Sequence, residues 1–178
     1  MSENIKSVLS LTLICLFVST AVVFSYKITK PHIERSANEA AYTAMESVLP
    51  QSERFEEIDV SKEILEEYSC TFLRRSVDTG AVAVQIETKG YQPGLVVMVG
   101  VDADGKITGV KVVQHAETEG IGTRAMTEDY LSKYRGEPDV KDIELISGAT
   151  YTSNGIKNAV KNAVSLFNTI KGELKGEG

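Results

Sequence analysis

Three hydrophobic patterns follow one another along the chain. From Ser7 to Tyr26 the chain is uncharged and rich in Leu, Val, Ile and Phe. The run is close to the roughly 20 residues that a helix needs to cross a bilayer's hydrocarbon core, and Tyr26, Lys27 and Lys30 supply interface anchors. A cleaved signal peptide is the alternative. Against it, the run exceeds the usual apolar segment, and Tyr26-Lys27-Ile28-Thr29-Lys30 offers no small-x-small cleavage site. The pattern predicts a retained membrane anchor.

Beyond the anchor, Ala41, Ala44, Met45 and Val48 fall on one side of a helix over Ala37 to Leu49, ended by Pro50. Glu53 to Glu67 is charged and reads as helix or loop, with Phe55, Ile58, Ile64 and Leu65 as its buried points. Its Glu residues lack the local partners that would mark an acid-base pair and read as a solvated face. The period then becomes two, with Val82, Val84 and Ile86 alternating, and Leu95 to Val101 is a near-continuous apolar run. Both are strands. Asp102-Ala103-Asp104-Gly105 joins that run to Ile107 to Val113 as a hairpin turn; a calcium loop needs further oxygen positions that are missing. Tyr91, between Gly90 and Gly94 at a strand boundary, reads as a core ring in preference to a ligand neighbour. The helical period returns in Ile156, Ala159, Val160, Ala163, Val164, Phe167 and Ile170, opposite Lys157, Asn158, Lys161 and Asn162.

Composition narrows the chemistry. The 178 residues allow one domain of ordinary size, and a net charge of -6 without a basic cluster argues against a nucleic-acid surface. Cys15 lies in the apolar run and Cys70 stands alone in the polar part, so neither an intrachain disulfide nor a cysteine-ligated cluster is expected. With only His32 and His115, and no paired ligand spacing, no metal site is expected.

Just ahead of the last helix runs Ser147-Gly148-Ala149-Thr150-Tyr151-Thr152-Ser153-Asn154-Gly155. Thr152, Ser153 or Asn154 can supply an N-cap oxygen, while Gly148 and Ala149 let backbone approach a ligand closely. Unpaired N–H groups and the positive end of the helix dipole suit a phosphate there, and Thr150 offers a hydroxyl that could be esterified by it. Read alone, Ser-Gly-Ala-Thr is an ordinary capped turn. Gly120-Ile121-Gly122-Thr123-Arg124-Ala125 fits a loose G-x-G-x-x-A dinucleotide fingerprint, but no strand leads directly into it and no repeated βαβ pattern surrounds it.

Ser147-Gly148-Ala149-Thr150, with Thr152-Ser153 beyond it, resembles the flavinylation motif of two related FMN-binding proteins of membrane redox pumps. These are the G subunit of the Rnf complex and the C subunit of the sodium-translocating NADH:quinone reductase. His115-Ala116-Glu117-Thr118-Glu119-Gly120-Ile121-Gly122 is similar to the H-x-E-T-P-G-L-G loop of the same families, with Glu119 for Pro and Ile121 for Leu. Glu144 stands three before the motif's Ser, where Asp is usual.

The resemblance implies an α+β protein with one N-terminal transmembrane helix and a single FMN-binding domain, its small antiparallel or mixed sheet flanked by helices. The corresponding boundaries are an anchor over 1–30, a helical connecting region over 31–75 and the FMN-binding domain over 76–178. It further implies FMN bound covalently through a phosphoester to Thr150, with Ser147, Gly148, Ala149 and Thr152 around the attachment point. Glu117, Thr118, Gly120, Ile121 and Gly122 lie near the ring, Glu117 and Thr118 as hydrogen-bonding neighbours. No residue is implied as a catalytic nucleophile.

The function implied is electron relay in an ion-translocating ferredoxin:NAD+ oxidoreductase of the Rnf type. The chain is compact, without the long insertions of the C subunit of the quinone reductase, which stands as the alternative; a non-redox, membrane-tethered binding or sensory domain is another. Implied partners are the other membrane and cytoplasmic subunits, and an FAD-dependent flavin transferase for maturation. Lys27, Lys30 and Arg35 outnumber Lys6 and the terminal amine, a bias that weakly favours a cytoplasmic domain. The resemblance implies the opposite, an FMN domain on the outer face of a bacterial cytoplasmic membrane.

Overall fold

The computed structural model describes residues 3–174. Its elements are α1 (Glu3–Val48), β1 (Phe55–Glu57), α2 (Lys62–Glu67), β2 (Cys70–Ser76), β3 (Val82–Lys89), β4 (Pro93–Val101), β5 (Ile107–Gln114), α3 (Glu128–Leu131) and α4 (Thr150–Leu174), with short 3-10 turns at Gly122–Met126 and Ser132–Tyr134. The chain divides into two units between Glu39 and Ala40, and α1 runs through the division.

In the first unit, α1 carries an apolar stretch with a mean hydropathy of 2.4 over its most apolar window. Among the described residues it is the one helix long and apolar enough to cross a membrane. Its apolar side chains face outward, as with Phe17 at 76% exposed. The hydroxyls of Thr12 and Thr20 donate to the carbonyls of Val8 and Leu16, at 2.9 and 2.8 Å. Such back-bonding satisfies polar groups that lipid cannot. The helix is compatible with membrane anchoring.

The second unit is built on a five-stranded antiparallel sheet in the order β1-β2-β3-β4-β5, each strand pairing with its neighbour in sequence. Alternation assigns the two faces. Val82, Val84 and Ile86 of β3 and Leu95, Val97, Val99 and Val101 of β4 point to one side, where Ile156, Val160, Ala163, Phe167 and Ile170 of α4 cover them. Full burial of each aliphatic side chain contributes about 2 kcal/mol. On the other side Ala81, Ala83 and Met98 meet Ala41, Ala44, Met45, Val48 and Leu49 from the end of α1. Small residues permit that approach: a Cβ on Gly109 would lie 3.2 Å from the Val48 Cα, and one on Gly100 2.7 Å from the Val48 carbonyl oxygen. The Thr108 hydroxyl donates to that carbonyl at 2.7 Å, satisfying one of the acceptors a helix end leaves free.

Residues 31–75, read from sequence as a helical connector, also supply β1 and β2. Leu73 enters the main core. A register shift between Cys70 and Phe72 breaks the alternation of β2, and Arg74 and Arg75 lie toward its C-terminal end, paired across the edge with Glu57 and Glu56 at 3.2 and 3.7 Å. Charges on a short edge strand discourage pairing with another chain. The hairpin between β4 and β5 is as expected: Asp102 Oδ1 accepts the N–H groups of Asp104 and Lys106 at 3.0 and 2.8 Å. That carboxylate holds the turn. Among the described residues every strand pairing is antiparallel, which leaves no βαβ unit there for the Gly120–Ala125 fingerprint.

Candidate functional site

Four segments meet at one edge of the domain: the β3–β4 turn, the loop after β5, the turn at residues 146–149 and the first turn of α4. The last two form a continuous device. The Ala149 N–H donates to the Ile146 carbonyl at 3.0 Å, and Gly148 stands third in that turn with φ +81°. A type II turn requires positive φ at that position, which favours Gly. The helix starts immediately, its first internal bond running from the Ser153 N–H to the Ala149 carbonyl at 2.9 Å.

The start of α4 corrects the expected cap. Thr152, Ser153 and Asn154 all lie inside the helix, which begins at Thr150 with Ala149 before it. The Ser153 hydroxyl instead donates to the Ala149 carbonyl at 2.8 Å and accepts the Ile146 N–H at 3.2 Å. It ties the turn to the helix from below. No hydroxyl therefore stands at the cap position, and the N–H groups of Thr150, Tyr151 and Thr152 keep their unpaired ends toward the helix mouth. Lys157 steadies the approach by donating to the carbonyls of Ile143 and Lys141, at 2.8 and 3.3 Å.

Glu117 joins the segments. Its side chain is buried; Oε1 accepts the Gln92 N–H at 3.0 Å and Oε2 accepts the Thr152 hydroxyl at 2.6 Å. Three glycines surround this clasp at close quarters. A Cβ on Gly122 would stand 2.7 Å from Glu117 Oε2 and 2.9 Å from Thr152 Oγ1; one on Gly155 would stand 2.6 Å from the Lys89 carbonyl oxygen. Gly90 likewise leaves no space for a side chain beside the Glu117 carboxylate. Thr118 turns the loop through its carbonyl, which accepts the N–H groups of Ile121 and Gly122 at 3.2 and 3.0 Å.

Above the clasp opens a cleft of about 340 Å³, lined by Tyr91, Glu117, Thr118, Ile121, Gly122 and residues 148–152. That volume is at the lower end for small-molecule sites. Of the residues singled out from sequence, Thr150, Gly148, Ala149, Thr152, Glu117, Thr118, Ile121 and Gly122 line it, while Ser147 and Gly120 are exposed and do not. Thr150 is exposed and the adjoining Thr152 buried. Thus the two hydroxyls of one helical turn differ: one is committed to Glu117, the other faces the cleft.

Tyr91 is not the core ring expected of it. It is 63% exposed and meets the 71% exposed Tyr151 edge to face, with ring centroids 6.0 Å apart. The β3–β4 turn projects it at the cleft. Tyr151 has no reading of its own from sequence, although its place beside Thr150 in the helix's first turn is a signal. Both oxygens of Glu117 are already engaged within the protein, so its observed hydrogen bonds are to protein donors.

Comparison with known proteins bears on the same stretch. Residues 90–165 match the FMN-binding domain family. The chain is 26% identical over 174 residues to the G subunit of the proton-translocating ferredoxin:NAD(+) oxidoreductase complex of Clostridium ljungdahlii, spanning 92% of this chain and 91% of that protein. It is 24% identical to the G subunit of the ion-translocating oxidoreductase complex of Aliivibrio fischeri, spanning 96% and 93%. The corresponding protein of Methanosarcina acetivorans is also 24% identical, spanning 96% and 97%. The crystal structure of Shewanella oneidensis NqrC is similar with a TM-score of 0.47 and 26% identity, over 59% of this chain and 61% of that one.

Proposed function

We propose that this chain, which carries an FMN-binding domain and belongs with the G subunits of Rnf-type ion-translocating oxidoreductase complexes, relays electrons through an FMN esterified to Thr150. The observation that carries the attachment point is the exposed Thr150 side chain, first in α4 and on the wall of the cleft.

The residues fit the group. Gly148 and Ala149 keep the wall low beside the hydroxyl, and the unpaired N–H groups at the mouth of α4 favour a phosphate. Tyr91, Ile121 and Tyr151 offer apolar and aromatic surface to a planar ring. Glu117 holds the β3–β4 turn and Thr152 together, which fixes the helical turn that presents Thr150. Bound flavin supplies the redox chemistry, accepting and releasing one or two electrons, while the protein sets its position and exposure.

Attachment joins the Thr150 hydroxyl oxygen to the flavin-side phosphorus of FAD, breaks the pyrophosphate bond, releases AMP and gives the hydroxyl proton to solvent. A separate flavin transferase performs this step. The tether prevents loss of the cofactor, which favours placing the domain on the outer face of the cytoplasmic membrane, and the other subunits of the complex donate and accept the electrons.

The test is incubation of the full chain with the transferase and FAD, followed by denaturing electrophoresis. Flavin fluorescence that persists in the band, and disappears in Thr150→Ala, is the expected result. A colourless band, or undiminished labelling of Thr150→Ala, overturns the attachment.

A further inference from the structure

Among the described residues, the arginines at 35, 54, 74, 75 and 135 each stand within 4 Å of a carboxylate oxygen. Arg124 does not. Its guanidinium lies at the motif turn instead, with Nη1 3.3 Å from where a Cβ on Gly148 would be. A Cβ there would crowd the guanidinium, and the φ of +81° at Gly148 favours glycine in its own right. The backbone bearing Arg124 is well held, since Gly122 and Ala125 on either side are buried in the 3-10 turn Gly122–Met126. An unpaired cation is thus delivered by one loop to the turn two residues before Thr150.

We infer that Arg124 binds the phosphate attached at Thr150, supplying the positive charge that the mouth of α4 has only in partial form. The inference rests on the attachment proposed above and adds to it a residue outside the motif. The diester keeps one negative charge, which a planar guanidinium with several donors is suited to meet. Arg124 therefore immobilises the phosphate of the tethered flavin. Exposure of the arginine moderates its effect, because water competes for both charges.

The test uses the full chain in detergent, labelled by transferase and FAD, and compares it with Arg124→Gln and Arg124→Lys. Phosphorus NMR reads the diester directly. Arg124→Gln is expected to move and narrow the phosphorus resonance and to label about tenfold more slowly, the loss of one charge-assisted contact; Arg124→Lys is expected to restore part of both. Loss of labelling in Arg124→Gln that Arg124→Lys recovers supports the role equally. An unchanged resonance and labelling rate in Arg124→Gln overturn it, with the Thr150 attachment left standing. If the unsubstituted chain shows no protein-bound phosphorus, the attachment itself fails and this role falls with it.

Discussion

The Thr152 hydroxyl donates to Glu117 Oε2 at 2.6 Å, joining residues 35 positions apart in the chain. Glu117 is 7% exposed and Thr152 1%, so neither group has ready access to water in place of the other. Buried donors without acceptors are costly. Glu117→Ala leaves both the Gln92 N–H and the Thr152 hydroxyl unpaired and is expected to lower stability by about 3 kcal/mol, read from thermal unfolding of the detergent-solubilised chain. Glu117→Gln keeps the shape and an acceptor, and the loss should be nearer about 1 kcal/mol. Equal unfolding midpoints for all three proteins would show that the clasp contributes nothing.

The glycines of α4 provide an internal contrast. A Cβ on Gly155 meets the Lys89 carbonyl oxygen at 2.6 Å, whereas one on Gly172 has nothing within 4 Å. Backbone cannot swing aside as a side chain can. Gly155→Ala is expected to destabilise by about 1–3 kcal/mol through overpacking, while Gly172→Ala gains up to about 1 kcal/mol from helix propensity. Denaturant midpoints of the two variants should move in opposite directions, and a shared direction would contradict the packing described.

Tyr91 and Tyr151 lie on the cleft wall yet are largely exposed, which separates their effect on stability from their effect on a ligand. Replacing either by Leu should alter stability by less than about 0.5 kcal/mol. A phenol ring in contact with an excited flavin donates an electron to it and quenches its emission. Labelled Tyr91→Leu and Tyr151→Leu should therefore show longer flavin fluorescence lifetimes. Lifetimes equal to that of the unsubstituted protein would place the ring elsewhere.

Burial pushes the Cys70 thiol up to about 11 in the folded chain, offset in part by backbone hydrogen bonding at Phe72. An unfolded cysteine titrates near about 8.5. A raised value favours the neutral thiol, so this contribution to stability is fully present below about 8.5 and is lost as pH climbs through about 11. Between those values the chain should become less stable, and Cys70→Ser should flatten that part of the stability profile. Iodoacetamide should modify Cys70 in the native chain at pH 8.5 more slowly than in urea; equal rates would refute the shift.

Local pattern makes several elements legible in the order of residues alone. Alternation marks Val82, Val84 and Ile86, and the helical period marks Ile156 to Ile170, because each of these segments buries one consistent face. β2 is hidden by its bulge and its adjacent arginines at 74 and 75, which erase the alternation. The N-cap is misplaced for a related reason: the hydroxyls have the right chemistry, but Ser153 and Thr152 are engaged by Ala149, Ile146 and Glu117 within the helix. Tyr91 reads as core because its flanking glycines give no direction for its ring.

What the sequence by itself determined was contiguous: an apolar span, the faces of single strands and helices, and a run of small residues and hydroxyls ending in Thr150. These depend on neighbours a few positions away, which the chain order already provides. The tertiary structure alone decided which hydroxyl is buried and which is free, that Tyr91 faces the cleft, and that an unpaired Arg124 reaches the Gly148 turn. Those relationships join distant segments through a meandering sheet. Their geometry follows from how α4 packs across β3 and β4, a condition that no local spacing encodes.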